Sequence, residues 1–90
     1  MKLQAKVFKN EGSSKRVGNA SVTFDGKFVI KGFGVIEGSN GLFVAMPSKK
    51  NQKDEWVDQA FPLNKEFREE LTKVILDEYN KLEEDDIDVF

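Results

Sequence analysis

The chain has neither cysteine nor histidine among its 90 residues. Disulfides, thiolate nucleophiles and Cys/His zinc sites are therefore excluded. So is the commonest general acid–base at neutral pH. Chemistry would fall to carboxylates, lysine, Tyr79 or hydroxyls, which points away from an enzyme. Gly32-x-Gly34 is too short to be a phosphate-cradling glycine loop. The carboxylate pairs Asp54/Glu55 and Glu83/Glu84 lack the converging set that Mg²⁺ needs. No cofactor, metal or small-molecule substrate is expected. No stretch approaches the ~18–20 apolar residues that span a bilayer. The start of the sequence holds no apolar run of signal-peptide type, so a cytoplasmic protein with no membrane partner is expected.

What is present is an ordinary globular composition, 39% hydrophobic and 33% charged. The length suits one domain. Such chains bury only roughly 60–65% of their unfolded surface, so the core is thin and a second subunit would help. The net charge of −2 hides a division. Residues 1–53 carry ten basic groups against three acidic, and residues 54–90 carry four against thirteen. One reading is a polyanion-binding surface with an acidic tail. The other is a basic sheet paired with an acidic helix for solubility and folding.

Alternation of Leu3, Ala5 and Val7 with Lys2, Gln4 and Lys6 predicts a first strand with one wet face. Asn10 to Lys15 reads as a mobile polar loop. Arg16 to Phe24 and Lys27 to Glu37 read as two strands joined by Asp25-Gly26, a type I′ hairpin signal. A two-residue loop there would pair Phe24 with Lys27, Val22 with Val29, Ala20 with Lys31 and Gly18 with Phe33. That register puts Phe28 and Ile30 on one face, and Val29, Phe33 and Val35 on the other. A sheet apolar on both faces calls for a helix on one side and a second subunit on the other. Gly32 and Gly34 suggest a bulge or a close backbone contact.

Gly38 to Gly41 is a turn, Leu42 to Met46 an apolar strand ended by Pro47, and Ser48 to Asp54 a Lys-rich loop. Glu55 to Phe61 reads as a fifth strand closed by Pro62. Asn64 is a helix N-cap. Beyond it, Phe67, Leu71, Val74, Ile75, Tyr79 and Leu82 form one helical stripe. The expected fold is α+β: an antiparallel sheet of about five strands with one long C-terminal helix, a single domain over residues 1–82. Residues 83–90 form an acidic tail expected to be disordered.

Asn40-Gly41-Leu42-Phe43-Val44-Ala45-Met46-Pro47-Ser48-Lys49-Lys50 resembles the signature of the stage V sporulation protein G (septation protein SpoVG) family. Trp56 to Leu63 is similar to that family's aromatic-x-Asp-x-Ala-His-Pro-Ile segment, with Phe61 in place of His. Ala20 to Glu37 resembles its second hairpin, and Val74 to Tyr79 its helix. The basic pair is Lys49-Lys50 where the family usually has Lys-Arg, and lysine is a point charge without the bidentate fork of arginine. The resemblance implies a dimeric sheet protein that regulates sporulation, septation and gene expression by binding DNA and, in some members, RNA.

On that basis the expected nucleic-acid contacts are Lys49, Lys50 and Lys53, with Arg16, Lys31, Lys6 and Lys9 as weaker candidates that could join the patch or merely flank the sheet. Phe43 and Trp56 could stack on bases, although aromatic core packing is the commoner use. Asp85, Asp86 and Phe90 resemble the acidic tip of bacterial single-stranded DNA-binding proteins and are candidates for docking a partner. The rival function is a protein-interaction module that uses the acidic helix and tail without touching nucleic acid.

Overall fold

A computed structural model describes residues 1–10 and 14–88, with side chains described as far as Leu82. Six strands and one helix follow in order: β1 (Leu3–Lys9), β2 (Arg16–Phe24), β3 (Phe28–Gly38), β4 (Gly41–Ala45), β5 (Ser48–Lys50), β6 (Trp56–Asp58) and α1 (Lys65–Asp88). Strands β1 to β4 form one antiparallel sheet in sequence order, and β5 and β6 form a separate hairpin. The antiparallel α+β architecture agrees with the sequence. The strands divide four and two, rather than five in one sheet.

Asp25 and Gly26 adopt positive φ (54° and 66°), as a type I′ turn requires. The Lys27 amide donates to the Phe24 carbonyl at 3.0 Å. The predicted register is nevertheless wrong by one residue. Lys27 joins the loop, so Phe24 pairs with Phe28, Thr23 with Val29 and Val22 with Ile30. A second correction comes at Gly32. Ser21 pairs with Lys31 but Ala20 pairs with Phe33, leaving Gly32 as an extra, bulged residue. Its φ of +99° is one that L side chains rarely adopt, and a Cβ there would lie 3.4 Å from the Pro47 Cβ. The bulge turns Phe33 and Val35 onto the same face as Phe28 and Ile30. Val29 is left on the opposite face.

That shared face is the core. Val22, Phe33, Val35 and Ile75 are fully buried, with Val7, Ala20, Val44, Met46, Leu71 and Tyr79 around them. Helix α1 covers this face, lying chiefly against β1. Gly18 permits the approach, since a Cβ there would stand 3.3 Å from the Tyr79 ring. The cap expected at Asn64 forms: its Oδ1 accepts from the Phe67 amide at 2.8 Å. The Phe67 ring packs on Phe24 with centroids 6.4 Å apart.

The sequence predicts a loop over Ser48–Asp54, but its first three residues are strand, and the strand predicted over 55–61 contracts to Trp56–Asp58. The helical backbone continues to Asp88. The proposed docking side chains of Asp85 and Asp86, all of Phe90, and residues 11–13 of the polar loop lie outside the described residues. Among the described residues, no helix is long and apolar enough to cross a membrane.

Candidate nucleic-acid interface

The expected contact residues fall on two separate surfaces. Lys49, Lys50 and Lys53 belong to the β5–β6 hairpin, whose residues from Ser48 to Gln59 are all exposed. The hairpin is closed at its base by the Gln59 amide, which donates to the Pro47 carbonyl at 2.6 Å. Asn51 organises its tip: its Oδ1 accepts from the amides of Lys53 (2.8 Å) and Glu55 (3.0 Å). Asp54 there takes a φ of 60°. Lys49 pairs with Val57 and Lys50 with Trp56. Neighbouring strand residues project to opposite sides, so the two lysines serve different faces of the ribbon. The Lys50 Nζ sits 5.5 Å from the centre of the Trp56 ring, a cation–π contact. An open hollow of about 500 Å³ has Lys49, Asn51, Gln52 and Gln59 among its walls. The hairpin also carries Asp54, Glu55 and Asp58, so its three lysines are balanced in charge.

Arg16 and Lys31 lie on the sheet face turned away from α1. Residues opposite one another in an antiparallel ladder share a face, so the registers arrange this surface in rows. Gln4, Thr23 and Val29 make one row, and Lys6, Ser21 and Lys31 the next. Phe8, Asn19, Gly34 and Ala45 make a third, followed by Ile36 beside Phe43. Arg16 pairs with Ile36 at the end of this last row. Its guanidinium crosses Gly34, where a Cβ would come within 2.9 Å of Cζ. Nε donates to Asn19 Oδ1 at 2.7 Å, and Nη2 to the Phe33 carbonyl at 3.3 Å. The side chain is thereby held in place, with Nη1 still unused among the described residues. Gly34, for which the sequence suggests either a bulge or a close backbone contact, makes room for this group.

Phe8 is a candidate contact residue that the sequence reading does not single out. It is 57% exposed on this face, with the Lys6 Nζ 5.6 Å from its ring centre. The signal was available: Phe8 follows Lys6 at the strand's period of two and so sits on its wet face. Phe43 is likewise 49% exposed. No carboxylate occupies these rows. The acidic residues of α1 lie on the other side of the molecule, where Lys73 is paired with Asp77 (2.9 Å) and Lys81 with Glu78 (3.1 Å). Among the described residues, no group of acidic side chains is placed to hold a metal ion.

A family model described as SpoVG matches residues 1–81. The protein named "Putative septation protein SpoVG" of Clostridium perfringens is 49% identical over 77 residues, covering 86% of this chain and 83% of that relative. The protein of that name from Caldanaerobacter subterraneus subsp. tengcongensis is 46% identical over 82 residues, covering 91% and 88%. The matched stretch takes in the sheet, the hairpin and the packed part of α1, and on that footing the chain belongs to the SpoVG family.

Proposed function

We propose that this chain is a cytoplasmic, non-enzymatic regulator that binds nucleic acid as a homodimer and takes part in septation, the process for which its relatives are named. The observation that carries this reading is the state of its cations. Lys31, Lys49, Lys50 and Lys53 make no ion pair among the described residues, whereas Lys73 and Lys81 on the helix are neutralised by their neighbours. Exposed ammonium groups without an acidic partner displace counterions from phosphates, the main source of affinity for DNA and RNA. A two-fold dimer would present this surface twice and fix the spacing between half-sites.

Apolar surface at the start of α1 supports the dimer. A groove of about 590 Å³ runs past Ile30, Met46 and Phe67, and Phe28, Phe61 and Leu63 stand exposed at its edge. Leu63 is 92% exposed. Apolar knobs beside an apolar groove suit an isologous contact, in which each copy fills the other. Leu63→Lys should convert the dimer to monomer in sedimentation analysis. An unchanged mass would remove this contact.

The binding reading is tested by titrating DNA and RNA at several salt concentrations. Lys49→Ala combined with Lys50→Ala should weaken binding to all sequences and reduce the salt slope by about 1.8, from about 0.9 per phosphate contact. A double variant that binds like the native protein would show that the hairpin is not the contact.

A further inference from the structure

We infer that the open face of the four-stranded sheet is a platform for single-stranded nucleic acid, with Phe8 and Phe43 stacking on bases and Lys6, Lys31 and Arg16 meeting phosphates. This rests on the nucleic-acid reading above and adds a site, a strand form and a mode of contact to it.

Three observations combine here. The first is charge. The hairpin lysines are balanced by Asp54, Glu55 and Asp58, but the rows of the open face hold three cations and no carboxylate. A second copy of the chain laid on this face by two-fold symmetry would oppose like charges and strip them of water. A polyanion offers the complementary charge.

The second is the pairing of exposed rings with cations. Phe8 and Phe43 are each about half exposed, whereas Phe33 on the other face of the same sheet is buried. They stand on β1 and β4, three strand spacings apart and one row offset, roughly 15 Å by standard sheet dimensions. Rings that far apart serve different bases of one strand, not a single stacked pair. In a duplex the base faces are covered by their neighbours, so ring stacking selects unpaired strands.

The third is the surface between the rings. Asn19, Ser21 and Lys31 with Phe8 surround an open hollow of about 220 Å³. Hydroxyl and amide groups there can meet base edges or a ribose. The Arg16 guanidinium is held flat across Gly34 by Asn19 and the Phe33 carbonyl, so it loses little freedom when a phosphate meets Nη1. The Lys6 contact on Phe8 is solvent-exposed and exchangeable for a phosphate while the ring keeps a face for the base.

The test uses the full chain, a fluorescent oligothymidylate and a duplex of mixed sequence. Phe8→Ala and Phe43→Ala should each weaken oligothymidylate binding by roughly fivefold or more and leave duplex binding unchanged. Phe8→Tyr, which keeps a π-face, should retain the affinity, and Phe8→Leu, which keeps only apolar area, should lose it. Lys6→Ala and Lys31→Ala should each lower the single-strand salt slope by about 0.7. An unchanged denaturation midpoint in each variant separates loss of contact from loss of fold. If the native protein binds duplex and both phenylalanine variants bind oligothymidylate normally, the platform is wrong and the hairpin reading stands alone. If the phenylalanine variants change the mass in solution, the face is a contact between subunits and the platform is overturned. If the native protein binds neither probe, the nucleic-acid reading fails and this inference falls with it.

Discussion

The two faces of the four-stranded sheet are built from the same strands and have opposite characters. The inner face, under α1, is apolar: Val7, Val22, Phe33 and Val35 are buried there, and no polar or charged residue is buried among the described residues. The outer face alternates lysine, serine, asparagine and phenylalanine in rows open to solvent. One residue maintains the division along β3. The bulge at Gly32 lets Phe28, Ile30, Phe33 and Val35 all face inward, where an unbroken strand would send the last two outward. A second register shift, between Arg16 and Gly18, sets Arg16 opposite Ile36 on the outer face, so core and candidate interface are divided by two backbone irregularities.

Substitutions on either side should separate the two roles. The largest expected effect is Phe33→Ala, which empties a fully buried site and should cost about 3–5 kcal/mol in chemical denaturation. Phe8→Ala, an aromatic truncation two strands away on the other face, should cost under about 0.5 kcal/mol. Equal losses would mean that the outer phenylalanine is part of the core. Gly32→Ala forces a side chain onto a backbone with φ of +99° and should cost about 1–3 kcal/mol. A neutral effect would show that the bulge is not required. Asn64→Ala removes the N-cap bond to Phe67 and should cost about 1 kcal/mol, with nucleic-acid binding unaffected because α1 covers only the inner face. Smallest is the effect expected from removing residues 83–90, five of which are acidic. Binding at low salt should tighten, by an amount that vanishes as salt screens the charge. Unchanged low-salt affinity would rule out competition between the tail and nucleic acid.

Much of this arrangement is legible in the residues themselves. The Asp25-Gly26 turn, the Asn64 cap and the helical stripe from Phe67 to Tyr79 each follow from a local chemical rule, and each is present. The errors arise where a backbone choice lies outside such rules. Including Lys27 in the loop shifts the register by one and exchanges which β2 residues share a face with Phe28 to Lys31, and the bulge at Gly32 shifts it once more, so that Phe33 and Val35 lie on the face of Ala20 and Val22 as the sequence predicts. Gly32 signals a bulge, but its sequence does not say which residues the bulge reorients. Lys49 and Lys50 read as loop because a two-stranded ribbon exposed on both sides has no apolar alternation. The open face was hidden for a related reason. Arg16, Lys31, Phe8 and Phe43 come from four different strands, and only the ladder registers bring them onto one surface.

On the reading proposed above, nucleic acid binds at the outer sheet face and the β5–β6 hairpin, through cations that have no acidic partner among the described residues. Backbone amide chemical shifts of isotopically labelled protein, followed during titration with a single-stranded oligonucleotide, test this residue by residue. Changes are expected at Lys6, Phe8, Asn19, Lys31 and Phe43 and along Lys49 to Lys53, with α1 from Phe67 to Tyr79 unaffected. Perturbations concentrated on α1, with the outer rows silent, would contradict it.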